Sequence, residues 1–486
     1  MTPLNIAIMV IYFVVLSGMG WYFARRQKGT EDYFRAQGRI PWWAAGLSLV
    51  GTGLSAITYM GVPAKSYMTD WGMFLLNFGT FWIAPLIIWF YIPTFRRMNL
   101  TSVYEYLEKR FNLAARLFGS AFFMIFQLGR MAIVLFLPSL ALAAATDINI
   151  YFCIVIMGVV SLVYTFVGGI EAVIWTDVLQ VIILMGGALF ALGYMIFQTP
   201  DGVSGLIATG IADNKFHMVD SSFNFVNPTI WVILLSSVFT YLTTYSADQT
   251  MVQRYFVTKD EKDAVRGVWT NAIIAIPTTL IFFLMGTALY VFYKYNPDRL
   301  VGVPADNDAI FPWFIVKELP DGISGLLIVG IFAASMSSLS SSMNSISSAW
   351  TVDFHERLFH GRKETKLKLA KAVTLLSGTA GIALALLMAT WNVNSLWDEY
   401  NRLIGLAISS LGGLFFLGVM TKRANAHGAL IGVAVSIVVQ WYIGKNELVH
   451  LLLYSTTGFV SCVVAGYLAS FLFAKKESYS DESQDN

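Results

Sequence analysis

The sequence predicts an all-α integral membrane protein of about thirteen transmembrane helices, and three observations lead there. Apolar residues make up 56% of the 486 positions and charged residues only 13%, against about 25% charged in soluble domains. Apolar runs near or above the roughly 20 residues that a bilayer demands recur from end to end. Basic residues gather between alternate runs, as the positive-inside rule requires.

Numbered 0 to 12, the runs lie near 4–24, 41–62, 71–94, 113–143, 149–167, 172–198, 229–248, 267–294, 319–348, 370–390, 403–420, 427–443 and 449–474. No stretch between them reads as a soluble domain, so 1–476 is expected to be one transmembrane domain. Run 0 has no basic leader and is followed by Arg25, Arg26 and Lys28, which reads as a retained anchor and not a signal peptide. With the N-terminus outside, the segments 25–40, 95–116, 249–266, 349–371, 421–426 and 475–486 are cytoplasmic. They hold 24 of the 32 Lys and Arg residues. The expected location is a plasma (inner) membrane, with the C-terminus cytoplasmic and the acidic, Ser-rich tail 477–486 disordered.

A net charge of +2 offers nothing to a nucleic acid. Cys153 and Cys462 sit in separate apolar runs and read as small core residues.

A membrane helix must satisfy its own backbone, so breaks and charges at membrane depth mark function. Run 1 reads WWAAGLSLVGTGLSAITYMGVP, with Gly51, Thr52 and Gly53 in its middle. If the helix unwinds there, carbonyls near Gly51 and Leu54 become free for a cation. The next half-helix would then aim its amides at a substrate beside Ser55 and Thr58. A small-residue packing seam is the other reading.

Run 8 contains IFAASMSSLSSSMNSISS. Ser337, Ser340 and Ser341 are spaced i, i+3, i+4 and share a helix face, with Ser338 and the Ala334 carbonyl flanking it. Neutral hydroxyls and carbonyls suit a dehydrated hard cation; small-residue packing again stays open. Asp177, near the start of run 5, needs a partner, and a cation shared with those hydroxyls is one candidate, with helix capping or simple interfacial exposure the other readings. Glu171 is expected to be a solvated first-turn acid.

Arg130, in FFMIFQLGRMAIVLFLP, is a basic residue near mid-membrane with no acid along its own run. Its partner must come from another helix, a wet cavity or a ligand; a substrate carboxylate fits the planar fork, and a structural tie to helix-end carbonyls is the other reading.

An enzyme is not expected: no nucleophile elbow, zinc spacing or phosphate loop is present. HERLFH at 355–360 places its histidines five apart, off a common helix face, and reads as a solvated loop helix. A channel would need a ring of carbonyls or charges from repeated elements. A sensor built on a transport fold would be expected to carry a signalling domain.

Four motifs together carry a resemblance: the glycine break of run 1, GGIEAVIWTD opening run 5, ADQTMVQRY ending run 6, and the serine-rich run 8. With them the chain resembles the sodium:solute symporter family over nearly its whole length. Within it, LSAITYMGVPAKSYMTDW, LTSVYEYLEKRF, QLGRMAIVLFLPSLAL and SSSMNSISS look most like the bacterial sodium/sialic acid symporters.

The resemblance implies an inverted five-plus-five helix repeat, the leucine-transporter-like fold, with core repeats at about 41–198 and 229–421. It implies a sodium-coupled secondary active symporter that imports an anionic sugar such as sialic acid (N-acetylneuraminate) by alternating access. A neutral monosaccharide, amino acid or other small carboxylate is the alternative, and Arg130 is the argument against a neutral solute. The family's primary sodium site maps to Gly51, Leu54, Ala334, Ser337 and Ser338. A second maps to Asp177, Ser337, Ser340 and Ser341, so two sodium ions are expected. The substrate site maps to Ser55, Thr58, Asn77 and Arg130, where Asn77 stands in place of a glutamine found in some relatives. Thr240, Thr243 and Thr244 are expected to line the pocket from run 6. A monomer is the expected functional unit.

Overall fold

The computed structural model describes residues 2–146, 148–303, 309–359, 363–390 and 408–473. Among the described residues the chain is helical throughout, with one isolated bridge between Ile40 and Thr258. Helices are the expected solution, because a helix bonds its polar backbone internally where no water is at hand.

Among the described residues ten helices are long and apolar enough to cross a membrane, and a bent pair, Trp42–Gly53 with Ala56–Met68, forms another crossing. One of the ten, Ile150–Gln198, has 49 residues, and at about 1.5 Å per residue it is more than twice the thickness of a bilayer core. Gly169 divides it, with φ 57° and ψ −159°. The shorter Ser409–Met420 completes run 10, whose first residues, 403–407, lie outside the described residues, as does the tail 477–486. Among the described residues eleven crossings result, or twelve with Ile150–Gln198 divided at Gly169, in the predicted order.

The differences lie at the ends and joints. Runs 4 and 5 are predicted as separate spans with a loop at 168–171; the structure joins them through a single kinked residue. At Gly169 a Cβ would lie 2.8 Å from the Tyr33 ring and 2.9 Å from its carbonyl oxygen, and φ is positive, so glycine is demanded twice over. Span 8 is predicted to end at 348 and instead runs Ile323–Phe359 through a π-turn at Trp350–His355. Asp353 in that turn is buried and accepts from Arg116 Nε at 2.7 Å and Ser102 Oγ at 2.7 Å, which satisfies the extra turn. Span 6, predicted as one helix, is broken at Asp248 (φ −84°, ψ 110°) into Ile230–Ala247 and Gln249–Phe256. Asp248 is buried and caps the second half by accepting from the Thr250 amide at 2.8 Å.

Span 8 is the centre of the molecule. Its most apolar window is 89% buried, against 22% for span 0 at the periphery. Its serines are short enough to let spans 1, 3, 5 and 9 approach closely. Glu171, predicted to be solvated, is 5% exposed and accepts from Arg39 Nη2 at 3.0 Å. The kink at Gly169 turns it toward the linker between spans 0 and 1, where Arg39 also pairs with Asp32 at 3.0 Å.

Candidate functional site

The break in span 1 is where three elements converge. Gly51, Thr52 and Gly53 end the first half-helix, and Leu54 leaves helical geometry (φ −82°, ψ 83°) before the second half begins, bent by 60°. A Cβ on Gly51 would sit 3.0 Å from Val181 Cγ2, 3.3 Å from Ser337 Oγ and 3.5 Å from Asp177 Cβ. The glycine therefore lets spans 5 and 8 press against the unwinding point. The Thr52 carbonyl, released from helical bonding, accepts from Arg130 Nη2 at 3.0 Å.

Asp177 lies beside this point, fully buried. Its Oδ1 accepts from Ser337 Oγ at 2.6 Å and its Oδ2 from Ser48 Oγ at 2.5 Å. Its counter-charge is Arg254, from the second half of broken span 6, with Nη2 at 3.2 Å from Oδ2. The same guanidinium donates to Ser341 Oγ at 2.5 Å, to Ser48 Oγ at 3.2 Å and to the Thr250 carbonyl at 2.5 Å. Ser341 also meets Thr52 Oγ1 at 3.2 Å. Ser340 donates to the Ser337 carbonyl at 3.0 Å. Asp177, Ser337 and Ser341 thus come together as the sequence predicts, but around a residue it does not announce. Arg254 lies in ADQTMVQRY, at the end of a run whose break was not foreseen, and no spacing rule links it to a carboxylate 77 residues away.

Ala334 and Ser338 lie one turn apart on span 8, both buried, and the Ser338 hydroxyl has no hydrogen-bond partner among the described residues. A buried hydroxyl left unpaired is costly, and a cation held by oxygen ligands is one way to satisfy it. The donor set fits a hard monovalent ion.

Beside the break is a cavity of about 200 Å³. Of the predicted substrate residues, Ser55, Thr58, Asn77, Arg130, Thr240 and Thr244 all line it. Thr243 does not: it is buried against span 10, with its Oγ1 2.1 Å from where a Cβ on Gly412 would stand. Helical geometry explains the difference, since Thr240 and Thr244 are four apart on one face and Thr243 lies 100° away from Thr244. Asn77 reaches the wall from a 3₁₀ turn, Phe74–Phe78, that opens span 2. The cavity also takes Asn271 and Thr278 from span 7, which no sequence signal singled out. Asn271 donates to the Tyr245 hydroxyl at 2.6 Å, fixing two walls together.

Arg130 is 5% exposed, and its Nε has no partner among the described residues. Nη1 stands 3.9 Å from Asp248 Oδ2. Asp248 is in turn held by Gln127 Nε2 at 3.1 and 3.2 Å. The partner expected from another helix, a cavity or a ligand is therefore supplied in part by another helix. This corrects the argument that a neutral solute would leave the guanidinium without an anion.

The profile of the sodium:solute symporter family matches residues 33–436. The chain is 39% identical over 481 residues to the sodium/sialic acid symporter NanT of Aliivibrio fischeri, covering 99% of this chain and 95% of that one. It is 40% identical over 487 residues to the sodium/sialic acid symporter SiaT of Proteus mirabilis, covering 99% and 98%. Among solved structures, a sodium-coupled sialic acid symporter in a substrate-bound outward-open state superposes with a TM-score of 0.92 at 39% identity, over 98% of this chain and 99% of that one. The nucleobase-cation-symport-1 family transporter Mhp1 superposes with a TM-score of 0.62 at 15% identity, over 90% and 94%, and shares the leucine-transporter-like fold. Close relatives over the full length are transporters, not enzymes. With a family match over most of its length and two curated relatives near 40% identity, the chain belongs to the sodium:solute symporter family.

Proposed function

We propose that this protein imports an anionic sugar acid of the sialic acid class by sodium-driven alternating access, as a monomer in a bacterial inner membrane. The observation that carries the reading is Arg130 at the wall of the central cavity, with an unpartnered Nε, beside Ser55, Thr58 and Asn77. A substrate carboxylate would take charge-assisted bonds from the guanidinium, and the hydroxyls and amide would engage the sugar's remaining polar groups. Similarity to NanT and SiaT along the whole chain supports the same substrate class.

The N-terminus is placed outside and the C-terminus inside by the distribution of Lys and Arg. Leu76 and Leu452, at the outer ends of spans 2 and 12, line the cavity, which then opens toward the outside. The core is read as two five-span repeats, 41–198 and 229–421, whose first spans, 1 and 6, are the two broken helices.

Two sodium ions are assigned per cycle. The primary ion would be held by the Gly51, Leu54 and Ala334 carbonyls with the Ser337 and Ser338 hydroxyls. The second would use Asp177, Ser337, Ser340 and Ser341. Arg254 engages Asp177 Oδ2 and not Oδ1, so an ion on the Oδ1 side leaves that ion pair in place. With a monoanionic substrate, two sodium ions carry one net positive charge inward, worth about 2.3 kcal/mol per 100 mV of inside-negative potential.

A neutral solute is the second reading, favoured by Asp248 as an internal counter-charge to Arg130. Uptake into liposomes containing the purified protein separates the two, with sugar acids and their uncharged analogues tested under sodium or proton gradients. Sodium-dependent, electrogenic uptake of N-acetylneuraminate is expected. Full uptake on a proton gradient without sodium would refute sodium coupling, and preference for the uncharged analogue would transfer the reading to a neutral solute.

A further inference from the structure

A second cavity, of about 440 Å³, lies on the face that carries the basic loops, away from the central site. Its wall includes Glu31 and Arg35 from the linker between spans 0 and 1, Arg96 and Asn99 at the end of span 2, and Thr258 and Lys259 after broken span 6. The three cations there outnumber the single carboxylate.

The protein holds these cations in place mainly with neutral groups, and Glu31 is the one carboxylate in the wall. Arg96 Nη1 donates to the Tyr255 carbonyl at 2.8 Å and the Thr258 carbonyl at 3.0 Å. Arg35 Nη2 donates to Asn99 Oδ1 at 2.8 Å, and its Nη1 is 3.6 Å from Glu31 Oε1. Arg35 Nε is buried with no partner among the described residues. Arg35 and Arg96 are close enough to repel each other, while the charges of Asp260, Glu261 and Asp263 act on Arg96 in the opposite sense. Lys259 makes no ion pair among the described residues, and the nearest acid along the chain, Asp260, is turned to cap the next helix through the Asp263 amide at 2.9 Å. Two guanidinium groups fixed around one polar space, with an ammonium at its edge, favour a tetrahedral oxyanion, for which arginine forks and amide groups are natural donors. Basic pockets between helices on this side of a membrane suit phospholipid headgroups.

The cavity also straddles a seam. Helix Thr30–Arg35 is anchored on its far side by the Tyr33 hydroxyl, 3.0 Å from Thr374 Oγ1 on span 9 and 3.3 Å from the Thr165 carbonyl on span 4. Arg96 belongs to span 2, and Lys259 follows the end of span 6. We propose that this cavity binds a phosphate oxyanion, from the headgroup of an anionic phospholipid in the adjacent leaflet or from soluble phosphate, and that the anion fastens helix Thr30–Arg35 to the ends of spans 2 and 6.

The test uses the full chain in nanodiscs of phosphatidylcholine. The unfolding midpoint is followed while inorganic phosphate is titrated at matched ionic strength, and separately while phosphatidylglycerol replaces part of the lipid. Wild type is expected to be stabilised by at least one probe. Arg35→Gln and Lys259→Gln should each weaken the apparent affinity by about tenfold, the loss of one charge-assisted contact. Glu31→Gln removes the competing carboxylate and should strengthen it, an effect that a damaged fold would not produce. Lys259 is exposed and unpaired, so its replacement leaves the fold intact. A response to the lipid alone identifies a headgroup, and a response to phosphate alone identifies the soluble ion. No stabilisation of wild type by either probe, or stabilisation that the Arg35 and Lys259 variants keep at wild-type strength, overturns the proposal.

Discussion

Replacing Arg130 by alanine is expected to weaken binding of a sugar acid by about ten- to a hundredfold while barely affecting an uncharged analogue. The magnitude follows from what the guanidinium has left to give. One Nη2 bond goes to the Thr52 carbonyl, Nη1 stands 3.9 Å from Asp248, beyond hydrogen-bond reach, and Nε has no partner among the described residues. One charge-assisted bond to a substrate carboxylate is worth about 1.5–3 kcal/mol, and each 1.4 kcal/mol is about tenfold. The alanine variant has a second consequence, because it leaves Asp248, 2% exposed, without its nearest cation. That carboxylate lines the cavity and would itself repel an anion. The double variant Arg130→Ala/Asp248→Asn removes the repulsion, so its remaining deficit reports the lost contact alone. Arg130→Lys should also bind poorly, since it keeps the charge and loses the fork. The assay is calorimetric titration of N-acetylneuraminate and an uncharged analogue into purified, monodisperse protein at saturating sodium. Equal weakening of both ligands, or wild-type affinity for the acid in the double variant, would refute the anchoring role.

Ser338→Ala removes a buried hydroxyl with no hydrogen-bond partner among the described residues, so the thermal midpoint should hold while half-saturating sodium rises several-fold; unchanged sodium dependence would exclude Ser338 as a ligand. Asp177→Asn leaves the fully buried Arg254 unpaired and should cost about 3–5 kcal/mol of stability. Asp177→Asn/Arg254→Gln should recover the fold with a sodium Hill coefficient falling toward one, and steep sodium dependence retained in that pair would remove the second ion. Gly169→Ala forces a Cβ into Tyr33 at a positive φ, and a stability loss of about 2 kcal/mol or more is expected; a midpoint equal to wild type would show that the kink can relax. Burial pushes the Glu108 carboxyl up, but Arg357 and Arg116 outweigh it and hold its pKa below the ordinary value of 4.5. Its contribution to stability is therefore complete above that value and is lost as pH falls through the lower folded pKa. Glu108→Gln should flatten the acid limb of the stability curve, and an unchanged slope would show that the pair contributes nothing.

Much of the architecture is legible in the chain because a bilayer imposes local rules. Each apolar run must be long enough to cross and must satisfy its own backbone, so length and composition alone locate the crossings that the described residues show. The break in span 1 is legible for the same reason, since Gly51, Thr52 and Gly53 weaken a helix wherever they occur. The break in span 6 is not, because Asp248 reads as the end of a run. Only its capping bond to Thr250 reveals that a second helix begins there. An aspartate closing an apolar run, two residues before a threonine, is the available signal.

The cavity wall shows the same division. Thr240, Thr243 and Thr244 are equivalent in composition, and the helix register against span 10 decides that Thr243 turns away. Arg130 and Asp177 stand out in sequence as charges at membrane depth, since burial of a charge is costly whatever surrounds it. Their partners, Asp248 and Arg254, do not stand out as partners, because pairing depends on how spans 1, 3, 5, 6 and 8 cross. What the sequence determined by itself was each span, each isolated charge and the hydroxyl-rich face of span 8, because these follow from interactions between near neighbours and the membrane. Which oxygens meet, which arginine satisfies which carboxylate and which wall faces the cavity were decided only by tertiary packing. Those contacts join residues far apart in the chain, and no local periodicity encodes them.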